Sequence, residues 1–266
     1  MMSLSEKSAE VAVISSRANA RVKQLRAAFA GNSRLSHGLV AIEGDHLLAE
    51  ALRSGTTLKT VFVSERHDIP DTLPPDTEVL RLTGDVFASV AGTRSPQGIA
   101  ALVEPTVTYI NSVLRRTPLI LIAAGLQDPG NLGTLVRSAE AFGATGVLTT
   151  PGTVSPWNQK ALRASAGSVF RVPIVEVAPT EIKELNARGV RLLAAVGSGG
   201  TNAQESDFVG PCALMIGNEG SGLESEWLEM ADAQVTIPCP GPVESLNAAV
   251  AGSLLLYEAA RQRSTQ

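Results

Sequence analysis

The sequence predicts an α/β protein whose second half is a parallel sheet, preceded by a smaller α/β unit. Three observations carry this. From Leu119 onward, short and nearly all-apolar runs alternate with helix-like stretches, the pattern of parallel strands covered on both faces. A weakly patterned stretch at 104–118, bracketed by Pro105 and Pro118, separates that half from what precedes it. The 266 residues, 44% hydrophobic and 18% charged, are enough for two ordinary globular domains. The expected division is 1–105, a linker at 106–117, and a second domain at 118–266.

In the first half, Asn19 is placed to cap a helix running to about residue 30, because its side-chain oxygen can accept from the free N–H groups of the first turn. Residues 39–42 form a short strand, and 45–53 a helix that Gly55 ends. The β-branched run at 60–63 is a strand, 78–82 another, and 85–90 a short helix. Three prolines make 69–77 a loop, and 98–103 is the last strand of this half. The second half reads as strands at 119–124, 147–149, 172–175, 192–195, 213–216 and 234–237. Helices are expected at 132–142, from Ser155-Pro156 onward, at 180–188, at 224–230 and from 246 to 261.

Composition excludes several classes. No apolar run approaches the ~18 residues of a membrane span, and the polar first ten residues carry no signal-peptide core. A cytoplasmic protein is therefore expected. Cys212 and Cys239 are expected to be small buried thiols rather than a disulfide. His37, His46 and His67 lack metal-ligand spacing, so no metal is expected. Aromatic residues are only 4% of the chain, which argues against an aromatic base-stacking platform.

The net charge of −4 alone argues against nucleic acid, but the charges are unevenly spread. Residues 11–42 hold no acid, yet include Arg17, Arg21, Lys23, Arg26 and Arg34. Residues 154–174 are also acid-free and include Lys160, Arg163 and Arg171. Such patches either contact phosphate or are solvated helix faces.

Three strand ends run into unusual loops: GLQDPGNLGTLVRSAEAFGA, GNEGSGL and PCPGPVESLNAAVAGS. Ligands of open parallel sheets bind outside the carboxyl ends of the strands, so the three are expected to meet at one site. Glycine lets backbone groups approach a ligand without an intervening Cβ. The lysine-containing phosphate loop is absent, and Gly217, Gly220 and Gly222 run in the reverse order of a dinucleotide fingerprint.

QDPGNLGTLVRSA, MIGNEGSGL and IPCPGPVESLNAAVA resemble, in order and spacing, the three motifs of the SpoU family of knotted RNA methyltransferases. The resemblance covers Pro118 to about Arg263. In the first half, IEGDHLLAEAL, VFVSE and TRSPQGIAALV resemble the ribosomal-protein-like α/β sandwich that precedes many members and binds RNA. The resemblance implies a deep trefoil knot, a homodimer with an active site shared across its interface, and S-adenosylmethionine as cofactor. It implies cofactor contacts at Gly217, Asn218, Gly220, Ile237, Pro238, Leu246 and Asn247. It implies transfer to a ribose 2′-hydroxyl of structured RNA, with ribosomal RNA favoured over transfer RNA. A non-catalytic RNA-binding protein of the same fold is the remaining alternative.

Roles follow from the same resemblance. Arg137 is the arginine that assists deprotonation, Asn131 the residue that orients it, Glu219 the second-motif glutamate, and Ser245 with Asn247 the polar pair of the third. An arginine is a poor base, since it stays charged below pH ~12, but a charged guanidinium can clamp phosphate and stabilise a developing alkoxide. RNA contacts are expected at Arg17, Arg21, Lys23, Arg26, Lys160, Arg163 and Ser165.

Overall fold

The computed structural model describes residues 12–264 apart from Asn32, Arg94 and Glu244. The expectation for the extreme N-terminus, and the motif positions Arg94 and Glu244, lie outside the described residues. The chain divides into two compact units between Thr106 and Val107.

The first unit is a five-stranded sheet of order β1-β4-β3-β5-β2. Its strands are β1 (Val13–Ile14), β2 (Val40–Glu43), β3 (Leu58–Ser64), β4 (Glu78–Leu82) and β5 (Ile99–Val103). Helices α1 (Ala20–Phe29), α2 (Ser33–Ser36), α3 (Asp45–Arg53) and α4 (Gly84–Ala88) complete it. Asn19 caps α1 by accepting from the Arg21 N–H at 2.8 Å. One face of the sheet buries Val22 and Leu25 of α1 and Phe87 of α4 against Phe62, Leu82 and Leu102. Strand side chains alternate between faces, so Val61, Val63, Ile99 and Ala101, all fully buried, belong to the other face. There α3 packs on β2 and β5 with Leu47, Leu48 and Ala51 buried.

The second unit holds a seven-stranded, wholly parallel sheet of order β10-β12-β9-β11-β6-β7-β8. The strands are β6 (Leu119–Ala123), β7 (Gly146–Thr149), β8 (Ile174–Glu176), β9 (Arg191–Ala195), β10 (Thr201–Asn202), β11 (Cys212–Ile216) and β12 (Ala233–Thr236). The helices are α5 (Pro129–Ala141), α6 (Gln159–Ser165), α7 (Pro179–Ala187), α8 (Ser225–Met230) and α9 (Ala248–Ser264). One face buries Ile120, Ile122, Leu192 and Met215 against Ile182 and Leu185 of α7 and Trp227 of α8. The other face meets α5 and α9. Gly252 lets α9 lie close: a Cβ there would sit 2.4 Å from Leu135 Cδ2 and 3.2 Å from Ile216 Cγ1.

Several elements differ from expectation for identifiable reasons. Helix α5 begins at Pro129 rather than Leu132, because Asp128 caps it and Pro129 occupies the first turn, where a missing N–H costs nothing. Helix α6 begins at Gln159, not at Ser155-Pro156. Asn158 is the true cap, accepting from Lys160 N–H at 2.9 Å, while Ser155 caps only a turn through Trp157 N–H at 3.2 Å. The stretch expected as a linker folds onto the second unit: Val113 is fully buried in its core, and Thr108 Oγ1 donates to Ile174 O. Cys212 is buried as expected, but Cys239 is only partly so, and both are free thiols.

Candidate functional site

The expected loops leave β6, β11 and β12 at their carboxyl ends, and these strands lie close together in the sheet, with β9 between β12 and β11. Asp128 builds the first loop. Its Oδ1 accepts from the N–H groups of Gly130 (2.6 Å) and Asn131 (3.1 Å), and its Oδ2 takes Lys160 Nζ at 2.7 Å. The Lys160 ammonium, with the two backbone donors, holds the Asp128 carboxyl below the usual range.

Glu219 reaches across from the second loop. Its carboxylate accepts from Gln127 N–H (3.2 Å), Asp128 N–H (3.0 Å) and the Asn131 side-chain amide (2.9 Å). Burial works to raise this carboxyl, but the Asn131 amide and the backbone N–H groups of Glu219, Asp128 and Gln127 outweigh it and hold it low. An ionised carboxylate only accepts, so the Asn131 NH₂ faces Glu219 and the Asn131 oxygen faces away. That oxygen accepts from Asn247 Nδ2 at 3.1 Å. The Asn247 oxygen in turn accepts from Ala249 N–H (2.9 Å) and Val250 N–H (3.2 Å), capping α9. One polar chain with a single consistent direction thus ties all three loops together.

The second loop is a small hairpin. Asn218 and Gly222 exchange backbone hydrogen bonds at 2.9 Å in each direction. Asn218 Oδ1 accepts from Gly220 and Ser221 N–H, and its Nδ2 donates to Gly125 O at 3.0 Å. Gly217 sits under the fold of the hairpin, where a Cβ would lie 2.2 Å from Gly222 C and 2.3 Å from Leu223 N.

Beside this hairpin opens a cavity of about 270 Å³. Of the residues expected to hold cofactor, Gly217, Asn218, Gly220, Ile237 and Leu246 line it, joined by Glu219 and Ser245; Pro238 and Asn247 do not. A fourth loop, after β9, also lines it through Ala195, Val196 and Gly197, as do Ala251 and Leu255 of α9. The signal for that loop was the glycine run Gly197, Gly199, Gly200 directly after an apolar strand. Its lack of charged residues made it resemble an ordinary turn. Apolar walls from Ile216, Val235, Leu246 and Leu255, set against glycine backbone, suit a flat heterocycle and a ribose held mainly by main-chain groups.

Arg137 lies exposed on α5 and, among the described residues, makes no hydrogen bond or ion pair. Within one chain, Asn131 and Arg137 are not brought together. Six residues along a helix place the two about 9 Å apart in rise and about 120° apart around the axis, and both ends of the Asn131 amide are engaged by Glu219 and Asn247.

The expected RNA residues divide. Arg17, Lys23 and Arg163 are exposed, and Arg26 is half-buried. Arg21 is bonded to Glu78 at 3.0 Å and to Gln24 at 3.3 Å. Lys160 is committed to Asp128. Ser165 corrects the expectation: it is 1% exposed and donates to Leu162 O, so its hydroxyl faces the packed interface of α6 rather than solvent. Arg171 likewise is held by Glu140.

Comparison with known proteins gives consistent matches. Residues 118–257 match the SpoU rRNA Methylase family, and residues 19–101 match the MRM3-like substrate binding domain. The chain is 35% identical to the 23S rRNA (guanosine(2553)-2'-O)-methyltransferase RlmP of Bacillus subtilis, over 92% of this chain and 97% of that one. It is 29% identical to the 23S rRNA (uridine(2479)-2'-O)-methyltransferase of Streptomyces viridochromogenes, over 92% of this chain and 91% of that one. Among solved structures, the SpoU methyltransferase AviRb from Streptomyces viridochromogenes, in complex with AdoMet, superposes with a TM-score of 0.85 at 29% identity. That match covers 93% of this chain and 99% of AviRb.

Proposed function

The chain belongs to the SpoU rRNA methylase family, and on that premise we propose that it methylates a ribose 2′-hydroxyl of large-subunit ribosomal RNA with S-adenosylmethionine. The observation that carries this is the continuous polar chain Glu219–Asn131–Asn247, closing three loops beside the glycine-built cavity. Relatives that act on 23S rRNA match over both units, which favours ribosomal over transfer RNA. The same substrate suits a cytoplasmic protein. Incubation with methyl-labelled S-adenosylmethionine, protein-free 23S rRNA and total transfer RNA in one mixture tests the reading, and label confined to transfer RNA would overturn the choice of substrate.

When bound, the cofactor supplies a methyl group already attached to a good leaving group. What is left to the chain is orientation of the hydroxyl, passage of its proton to solvent as the new bond to oxygen forms, and stabilisation of the charge that develops on that oxygen. The residues fit that division. The hairpin 217–222, Ile237, Leu246 and the loop after β9 hold the cofactor against apolar walls. Asn131, Glu219 and Asn247 position the loops, and Ser245 stands at the cavity edge. Arg137, a guanidinium with no partner among the described residues, presents donors to the substrate phosphate and the developing oxyanion. The trefoil knot expected of the family is part of this reading. It is supported by the match of residues 118–257 to that family and by the superposition on AviRb.

A homodimer through α9 is also part of it. Val250, Leu254 and Tyr257 are 48%, 43% and 53% exposed and lie on one stripe, four and three residues apart. Leu255, next to that stripe, is buried at 1% and faces the core. Val250→Glu combined with Leu254→Glu is expected to convert a sedimenting dimer into a folded monomer with little methyl transfer. Wild type sedimenting as a monomer at micromolar concentration would contradict the assembly.

A further inference from the structure

We propose that a groove in the first unit, between α1 and the turn formed by α2, binds one unpaired nucleotide of the RNA substrate. This rests on the reading of the chain as an RNA methyltransferase and adds a site to it. The groove is an open depression of about 790 Å³. Ala20 and Ala27 of α1 and Ala30 just after it leave space before Leu35, and Gln24 crosses from α1 to donate to Ser36 O at 3.5 Å. Leu35 is 61% exposed, a large apolar side chain held in water at the groove wall. His37, at φ 56°, follows α2 in a left-handed conformation that a non-glycine residue rarely adopts, and stands at the same groove.

Charge selects the occupant. Among the described residues, no acidic one lines the groove, while Arg21, Lys23 and Arg26 do. Arg21 is occupied by Glu78, but Lys23 and Arg26 have no ion-pair partner among the described residues. A polyanion with an apolar, flat component fits both features: phosphates on Lys23 and Arg26, a base against Leu35 and Ala27. A duplex presents its phosphates but keeps its base faces stacked inside, so it would leave the apolar wall unused. An unpaired nucleotide would not, because its exposed base face can cover Leu35 and take apolar surface out of water without an aromatic partner.

The test uses the full chain and a short fluorescent single-stranded oligoribonucleotide, with the same sequence as a duplex for comparison. Leu35→Asn adds no charge, and at an exposed position it should leave the fold intact, which circular dichroism verifies. It is expected to weaken single-strand binding about tenfold, the effect of no longer taking the exposed Leu35 side chain out of water, while duplex binding changes less than about twofold. Lys23→Glu with Arg26→Glu should weaken both and flatten the salt dependence. Lys183→Glu, an exposed residue on α7, should change neither. If Leu35→Asn bound the single strand like wild type while wild type still methylated 23S rRNA, the groove proposal alone would fail. If wild type methylated no RNA, the underlying reading would fail with it. Displacement of the oligonucleotide by poly-glutamate at matched charge would overturn base recognition and leave only a cationic surface.

Discussion

Arg137→Ala is expected to lower single-turnover methyl transfer at least about 10²-fold, the usual effect of losing one donor to a developing oxyanion. Cofactor affinity and assembly should be unchanged. The side chain is exposed and unpaired among the described residues, so its loss should change stability by no more than about 0.5 kcal/mol. Arg137→Lys separates two roles. Lysine keeps a charge but not the planar fork, and it deprotonates near pH ~10.4 where arginine does not. If Arg137 clamps phosphate with both arms, the lysine variant stays impaired at every pH. If it removes the proton, activity returns as pH approaches the lysine pKa. A wild-type rate in Arg137→Ala would remove the residue from the chemistry.

Gly217→Ala is the second large effect. The added Cβ would lie 2.2 Å from Gly222 C, 2.3 Å from Leu223 N and 2.4 Å from Gly222 O. All three are backbone atoms, so no rotamer change relieves the clash. The hairpin must open, and with it the wall shared by Asn218, Glu219 and Gly220. Calorimetric titration with S-adenosylmethionine should show affinity reduced tenfold or more, that is about 1.4 kcal/mol. Gly210→Ala, whose Cβ would meet nothing within 4 Å, is the matched control and should bind normally. Equal affinities for the two variants would mean that the hairpin does not form the cofactor wall.

Much of this arrangement was legible in the residues, and the gaps have physical causes. The strands of the second sheet were readable because burial on both faces makes each a continuous apolar run, as in LILIA and CALMI. Strands β1 and β10 were not, because two residues carry no periodicity. The loops could be placed at strand ends, but their mutual bonding could not. Nothing in the spacing of Asn131, Glu219 and Asn247, which are about ninety and thirty residues apart, indicates that one amide bridges the other two. The role expected for Asn131 placed it toward Arg137, whereas helix periodicity turns them to different sides of α5. Ser165 read as a polar surface residue because sequence shows a hydroxyl but not the side of α6 it faces. In the structure it packs where α5 comes so close that a Cβ on Gly133 would lie 2.3 Å from Ala161 O.

The most direct test of the central claim is the position of the methyl group on the RNA. Protein-free 23S rRNA is incubated with the protein and S-adenosylmethionine, hydrolysed in alkali, and the fragments are weighed by mass spectrometry. Alkaline cleavage needs a free 2′-hydroxyl as the attacking group, so a ribose methylated there resists. The expected result is one alkali-resistant dinucleotide carrying the added methyl, absent with Arg137→Ala. A methyl group recovered on a base within a mononucleotide, or no transfer by a folded protein that binds the cofactor, would contradict ribose 2′-O-methylation.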